Sequence, residues 1–143
     1  MTDGYVILLY EGRDGHQVQH VGEDRDLLRY LQQSVHGHIE VVYPDYLHKP
    51  YLMVVNEEGL LLNMDINPAA CWLYGSQDHA QPIVGPAVIC KQVWDDDGPD
   101  IGLLTKEDVA EAMKDVWKAH GHYWSWDLNT DGHYGDPILG GGD

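Results

Sequence analysis

The chain opens on an apolar run, YVILLY (Tyr5–Tyr10), which reads as a buried strand. EGRDG follows, a turn with two glycines. HQVQHV (His16–Val21) then alternates polar and apolar and fits a returning strand, so the chain begins as a hairpin. In EDRDLLRYLQQSV, Leu27, Leu31 and Val35 are spaced by four with Leu28 beside them, which makes one face of a helix. Acids crowd its start, where the macrodipole favours them, and Gly37 is the expected stop. HIEVVYP (His38–Pro44) is the next strand, and DYLHKP is a loop.

YLMVVNEEGLLLNMDIN predicts two strands around a tight turn at Asn56–Gly59. PAACWLYGS predicts a short helix, with Asn67 as N-cap and Pro68 in the first helical position. PIVGPAVICKQVW is a long apolar strand whose internal Gly85–Pro86 suggests a bulge or an edge position. An unpaired edge there gives one route to a homo-oligomer. DDDGPD is an exposed acidic turn. TKEDVAEAMKDVWKAH is the clearest helix: Thr105 and Asp108 form an approximate capping box, and Val109, Met113 and Trp117 recur every four residues. Strands cluster around two to three helices and are joined by hairpins rather than regular βαβ crossovers. This predicts a single α+β domain with a largely antiparallel sheet over 1–117, followed by an aromatic, Gly-rich extension over 118–143.

LLRYLQQSVHGHIEVVYP, then YLMVVNEEGLLLNMDINPAA, then IVGPAVI, resembles the domain-of-unknown-function family numbered 3846. The shared pattern is a helix running into a glycine and a strand of the form IEVVY, a hairpin around NEEG, a helix start at NPAA, and a strand opening I-x-G. It covers roughly Tyr5 to Val109. The resemblance implies a context, a small accessory protein of a bacteriophage or mobile element acting in the host cytoplasm. It brings no catalytic residues with it.

Composition narrows the partners. The chain has 143 residues, enough for one compact domain. Nowhere does it hold an apolar run long enough for a transmembrane helix, and its first residues lack the basic start and apolar core of a signal peptide, so a cytosolic protein is expected. Cys71 and Cys90 are then reduced thiols in or near the core. Acids outnumber bases 24 to 8, for a formal charge of −16. Such a surface repels nucleic acid and anionic membrane. It attracts a basic protein of host or phage, including one that otherwise grips DNA, whose phosphate charge the acids would imitate; plain solubility is the competing reading. Asp95, Asp96, Asp97 and Asp100 are the candidate partner-binding acids, with Trp124 and Trp126 as aromatic anchors.

Candidate chemistry is sparse. DLNTDG (Asp127–Gly132) spells the first half of an EF-hand loop, with Asp127, Asn129 and Asp131 at ligand positions one, three and five. Position twelve is Ile138 rather than Glu, so a weak calcium loop competes with an ion-free Asx turn. No other cofactor is expected. His36 and His38 form a His-x-His with Glu40 beyond, a spacing that suits zinc only if all three lie on one strand face. No serine has a nucleophile-elbow context and no phosphate loop occurs. Three functions follow, in order: a non-enzymatic interaction module for a basic partner, a protein sequestering a nucleotide-like ligand, and a metal-dependent hydrolase built on the histidines.

Overall fold

The computed structural model of the chain describes residues 4–12, 15–22, 25–120, 123–124 and 137–138. β1 (Gly4–Leu9) and β2 (His16–Val21) form the expected hairpin. Asp26 caps α1 (Leu27–Val35) by accepting from the Arg29 N–H, so the acids lie before the helix and none lies in its first turn. Then come β3 (Ile39–Val42), β4 (Tyr51–Asn56), α2 (Pro68–Tyr74), the one-turn α3 (Ser76–His79), β5 (Ala87–Asp95), β6 (Gly98–Gly102) and α4 (Lys106–His120). β7 (Tyr123–Trp124) and β8 (Pro137–Ile138) form a separate two-stranded pair.

The main sheet runs β2-β1-β5-β4-β3, with β6 added to the outer half of β5, and every pairing is antiparallel. Its two faces bury two clusters. Ile7, Met53 and Ile89 face α2 and α4, meeting Ala70, Leu73, Ala112 and Val116. Val6, Leu52, Val54, Val88 and Cys90 face α1, meeting Tyr30, Leu31 and Val35. Burial on both faces explains why β4 reads as a continuous apolar run instead of alternating. The fold is α+β with an open, largely antiparallel sheet, as the patterns predict. Helix α4 continues past residue 117, so the expected boundary between domain and extension falls inside it. Both cysteines are free thiols and buried, and burial pushes the Cys90 thiol up to about 12.

Three local expectations are corrected. Residues 60–63 form no strand. The buried Asn56 accepts the Glu58 N–H on its side chain (2.6 Å), and the backbone then coils, with Leu62 N–H donating to Glu58 O (3.0 Å). Gly59 completes that turn, lying so close to Val84 that an added Cβ would sit 2.8 Å from its Cγ2. Gly85–Pro86 lies outside β5, which begins at Ala87 between β1 and β4. At that end of β5 both edges are paired, by β1 and by β4. The left-handed residue ending α1 is His36 (φ 68°), while Gly37 serves close approach, since a Cβ would meet Asn56 Nδ2 at 2.8 Å.

Two polar residues tie the layers together. Asn67 is fully buried; its Oδ1 accepts from Ala70 N–H as the N-cap of α2. Its Nδ2 donates to Leu9 O (3.1 Å) and Gly85 O (2.8 Å), fixing the helix start to the end of β1 and the entry to β5. Asp108 closes the capping box of α4, exchanging hydrogen bonds with Thr105. The same carboxylate accepts from Lys91 Nζ (2.6 Å) and Tyr51 OH (3.1 Å). Burial alone would raise its pKa, but Lys91 and the Thr105 N–H outweigh burial and hold it below the ordinary carboxylate value. Burial, with Asp108 alongside, pushes the Tyr51 phenol up to about 12.

Asn67→Ala is expected to destabilise the fold by about 3 kcal/mol, the sum of a lost cap and two stranded carbonyls. Asn67→Asp, an equally good cap, should be no better, because it cannot donate to Leu9 and Gly85; urea unfolding of the pair separates the cap from the donors. Asp108 has a depressed folded pKa, so its contribution is present above the unfolded value and is lost as pH falls through the folded one. The stability gap between wild type and Asp108→Asn, measured by urea titration, should therefore hold at neutral pH and close progressively below about pH 4.

Candidate functional site

Strand β5 leads two lives. Ala87–Cys90 are fully buried at the centre of the sheet. Beyond Lys91, which still pairs with Tyr51, the Gln92 N–H bond to Pro50 O is the last tie to the β4 side. Val93, Trp94 and Asp95 then pair only with β6, as a two-stranded ribbon. Asp95 pairs with Gly98 across a two-residue turn of Asp96 and Asp97. Asp95 Oδ1 accepts the Asp97 N–H (2.8 Å), an Asx-type closure, and Gly98 takes φ 114°.

The ribbon carries all four acids singled out by sequence: Asp95, Asp96, Asp97 and Asp100 are all exposed. The structure gathers them around one turn. Asp100 also caps its own neighbour, accepting from Ile101 N–H at 2.8 Å. Alternation and register place Gln92, Trp94, Pro99 and Ile101 on the α1 side of the sheet, and Val93, Asp95 and Asp100 on the other.

On the α1 side the sheet is longer than its cover. α1 packs on Val88 and Cys90, and Trp94 beyond them on the same face is exposed. There Tyr43, Lys49, Pro50, Tyr51, Gln92 and Trp94 line an open groove of about 510 Å³. Trp94 is 70% exposed and Tyr43 61%. Sequence reasoning missed both, reading them as the end of a strand. The readable signal was Trp94 standing directly before DDDGPD, where an alternating strand leaves the core.

The remaining candidates fall into two groups. Trp126, Asp127, Asn129 and Asp131 lie outside the described residues, and Trp124 is described only as part of β7, paired with Pro137. His36 and His38 are both exposed in the turn between α1 and β3, and the left-handed His36 breaks the common face that a zinc site with Glu40 requires. Among the described residues no three His, Cys, Asp or Glu side chains converge as a metal site would need.

Two histidine contacts were not foreseen. Asp115, buried in α4, accepts both the backbone N–H (3.0 Å) and Nδ1 (2.7 Å) of His48 through one oxygen. A carboxylate orienting an imidazole is the arrangement of a general base. Among the described residues that line the adjoining 180 Å³ cavity, Asp45, Tyr46, Trp72 and Lys118 join this pair and none is a serine or cysteine to activate; the contact fastens the β3–β4 loop to α4. His16 Nδ1 lies 3.1 Å from His120 Nε2, with Trp117 edge-on to both rings. Burial first, and His120 second, lower the His16 pKa.

Among the described residues no helix is long and apolar enough to cross a membrane. Comparison with curated proteins and with solved structures gives no match. The family model described as Domain of unknown function (DUF3846) matches residues 1–117, from the first strand to within α4. That match takes in every strand of the main sheet and all the residues of the groove and the acidic ribbon. The chain belongs to the DUF3846 family.

Proposed function

We propose that the protein is a non-enzymatic binding module that takes hold of a basic protein through the β5–β6 ribbon and the groove beside it. The observation that carries this reading is the exposed Trp94 and Tyr43 beside a ribbon that bears four exposed aspartates. Aromatic faces attract Lys and Arg by cation–π contact, and desolvated aromatics are the usual anchors of interfaces. The aspartates supply the complementary charge, concentrated at one place in an acidic chain, and that local charge steers a basic partner. A protein surface made for DNA phosphates is such a partner, which fits an accessory role for a phage or mobile element in the host cytoplasm. A second reading, capture of a ring-bearing nucleotide-like ligand, is favoured by Lys49 lining the same groove as the exposed Tyr43 and Trp94.

A synthetic Arg-rich peptide tests the first reading. Trp94→Ala should weaken its binding about tenfold, ~1.4 kcal/mol. Replacing Asp95, Asp96 and Asp97 together by Asn should weaken it at least as much and flatten its salt dependence, although most of the acids remain. Wild-type affinity in both variants, measured by calorimetry at two salt concentrations, would remove the ribbon as the site. Binding of a free nucleotide that is lost in Lys49→Ala would favour the second reading instead.

A further inference from the structure

Leu60, Leu61 and Leu62 are consecutive and 56%, 82% and 53% exposed. Burying a leucine is worth roughly 1.5–3 kcal/mol, so three in a row on the surface are costly to leave in water. Their turn is firmly held. Asn56, itself buried, donates Nδ2 to Val35 O (2.9 Å) and accepts Glu58 N–H, while Met64 N–H closes on Gly59 O (3.1 Å). Gly59 is pressed against Val84. The leucines are therefore displayed by a fixed scaffold.

Leu60 and Leu61 form one wall of an open groove of about 320 Å³. Half-buried Val42 lies beside them, over a floor of the buried Val55, Ile83 and Val84. Glu40, Glu57 and Glu58, all exposed, stand on its rim, and no Lys or Arg is among the described residues that line it. The groove uses the Val55 end of β4, whereas the aromatic groove uses the Tyr51 end, roughly 13–15 Å away along the strand. It is a separate surface.

We infer that this leucine-walled groove is a second docking site, for an amphipathic segment of a partner that sets apolar side chains into the groove and flanks them with Lys or Arg. The charge of the rim selects the occupant. A second copy of this chain would bring its own Glu40, Glu57 and Glu58 and its own −16 to the contact. An anionic lipid surface would meet the same repulsion. A basic amphipathic segment meets apolar surface with apolar surface and carboxylate with cation.

The test is an amide-resonance titration of the full chain with an 18-residue Leu/Lys peptide of helical pattern. A scrambled peptide of the same composition and a Leu/Glu peptide of the same pattern are the controls. The patterned Leu/Lys peptide should saturate, shifting Val42, Val55, Leu60–Leu62 and Ile83–Val84. Leu61→Asp, a change at the most exposed position, should keep the fold by its spectrum and weaken binding at least tenfold. Glu57→Lys with Glu58→Lys should weaken it threefold or more, and Trp94→Ala should leave it unchanged, which keeps this site distinguishable from the ribbon. Equal binding of the scrambled peptide, wild-type affinity in Leu61→Asp, or shifts confined to Trp94 and the aspartate turn would each overturn the proposal. So would peptide-free self-association, or binding to anionic vesicles, that Leu61→Asp abolishes.

Discussion

Ala87–Cys90 have no side open to water: β1 and β4 flank them, and helices cover both faces. Every backbone amide there must find its partner in the sheet, and every side chain must find apolar cover. The rest of the fold answers that constraint. α2 and α4 supply one lid and α1 the other. Asn67 fastens the start of α2 to both β1 and the entry of β5 with a single side chain. Asp108 does the same for α4 at the far end of β4 and β5. Where the lid runs out, the sheet ends in exposed aromatics, and the turn that follows β4 holds exposed leucines.

Local chemistry was legible where one segment determined its own shape. The caps at Asn67 and Thr105–Asp108, the periodic faces of α1 and α4, and the alternation of β2 all follow from neighbours in sequence. GLLLN looked like a strand because leucine is apolar, yet a buried asparagine a few residues earlier turns the backbone before a strand can begin. GPDIG carries no strand pattern and becomes β6 because the ribbon offers it a partner. The acids of the candidate site were visible as a contiguous DDDGPD. Tyr43 and Trp94 were not, since they meet only through the register of β3, β4 and β5. The His48–Asp115 contact is likewise a product of packing between elements distant in sequence.

The charge of the chain also divides once the fold is known. Asp108 and Asp115 are structural acids, each turned inward onto a named partner. Lys91 is consumed by Asp108, and Arg25 lies over the Tyr30 ring. These cations are engaged within the chain, while Glu40, Glu57, Glu58 and the ribbon aspartates face outward.

The reach of β5 bears on how that charge is felt. Its four outer residues carry the turn roughly 13 Å past the last residue paired on both sides. The screening length in physiological salt is about 8 Å. The aspartates at the tip are thus electrically insulated from much of the body that bears them. An approaching cation would sense a small, pointed pole of charge rather than the average over a globe, so the orientation of approach is set before any contact is made.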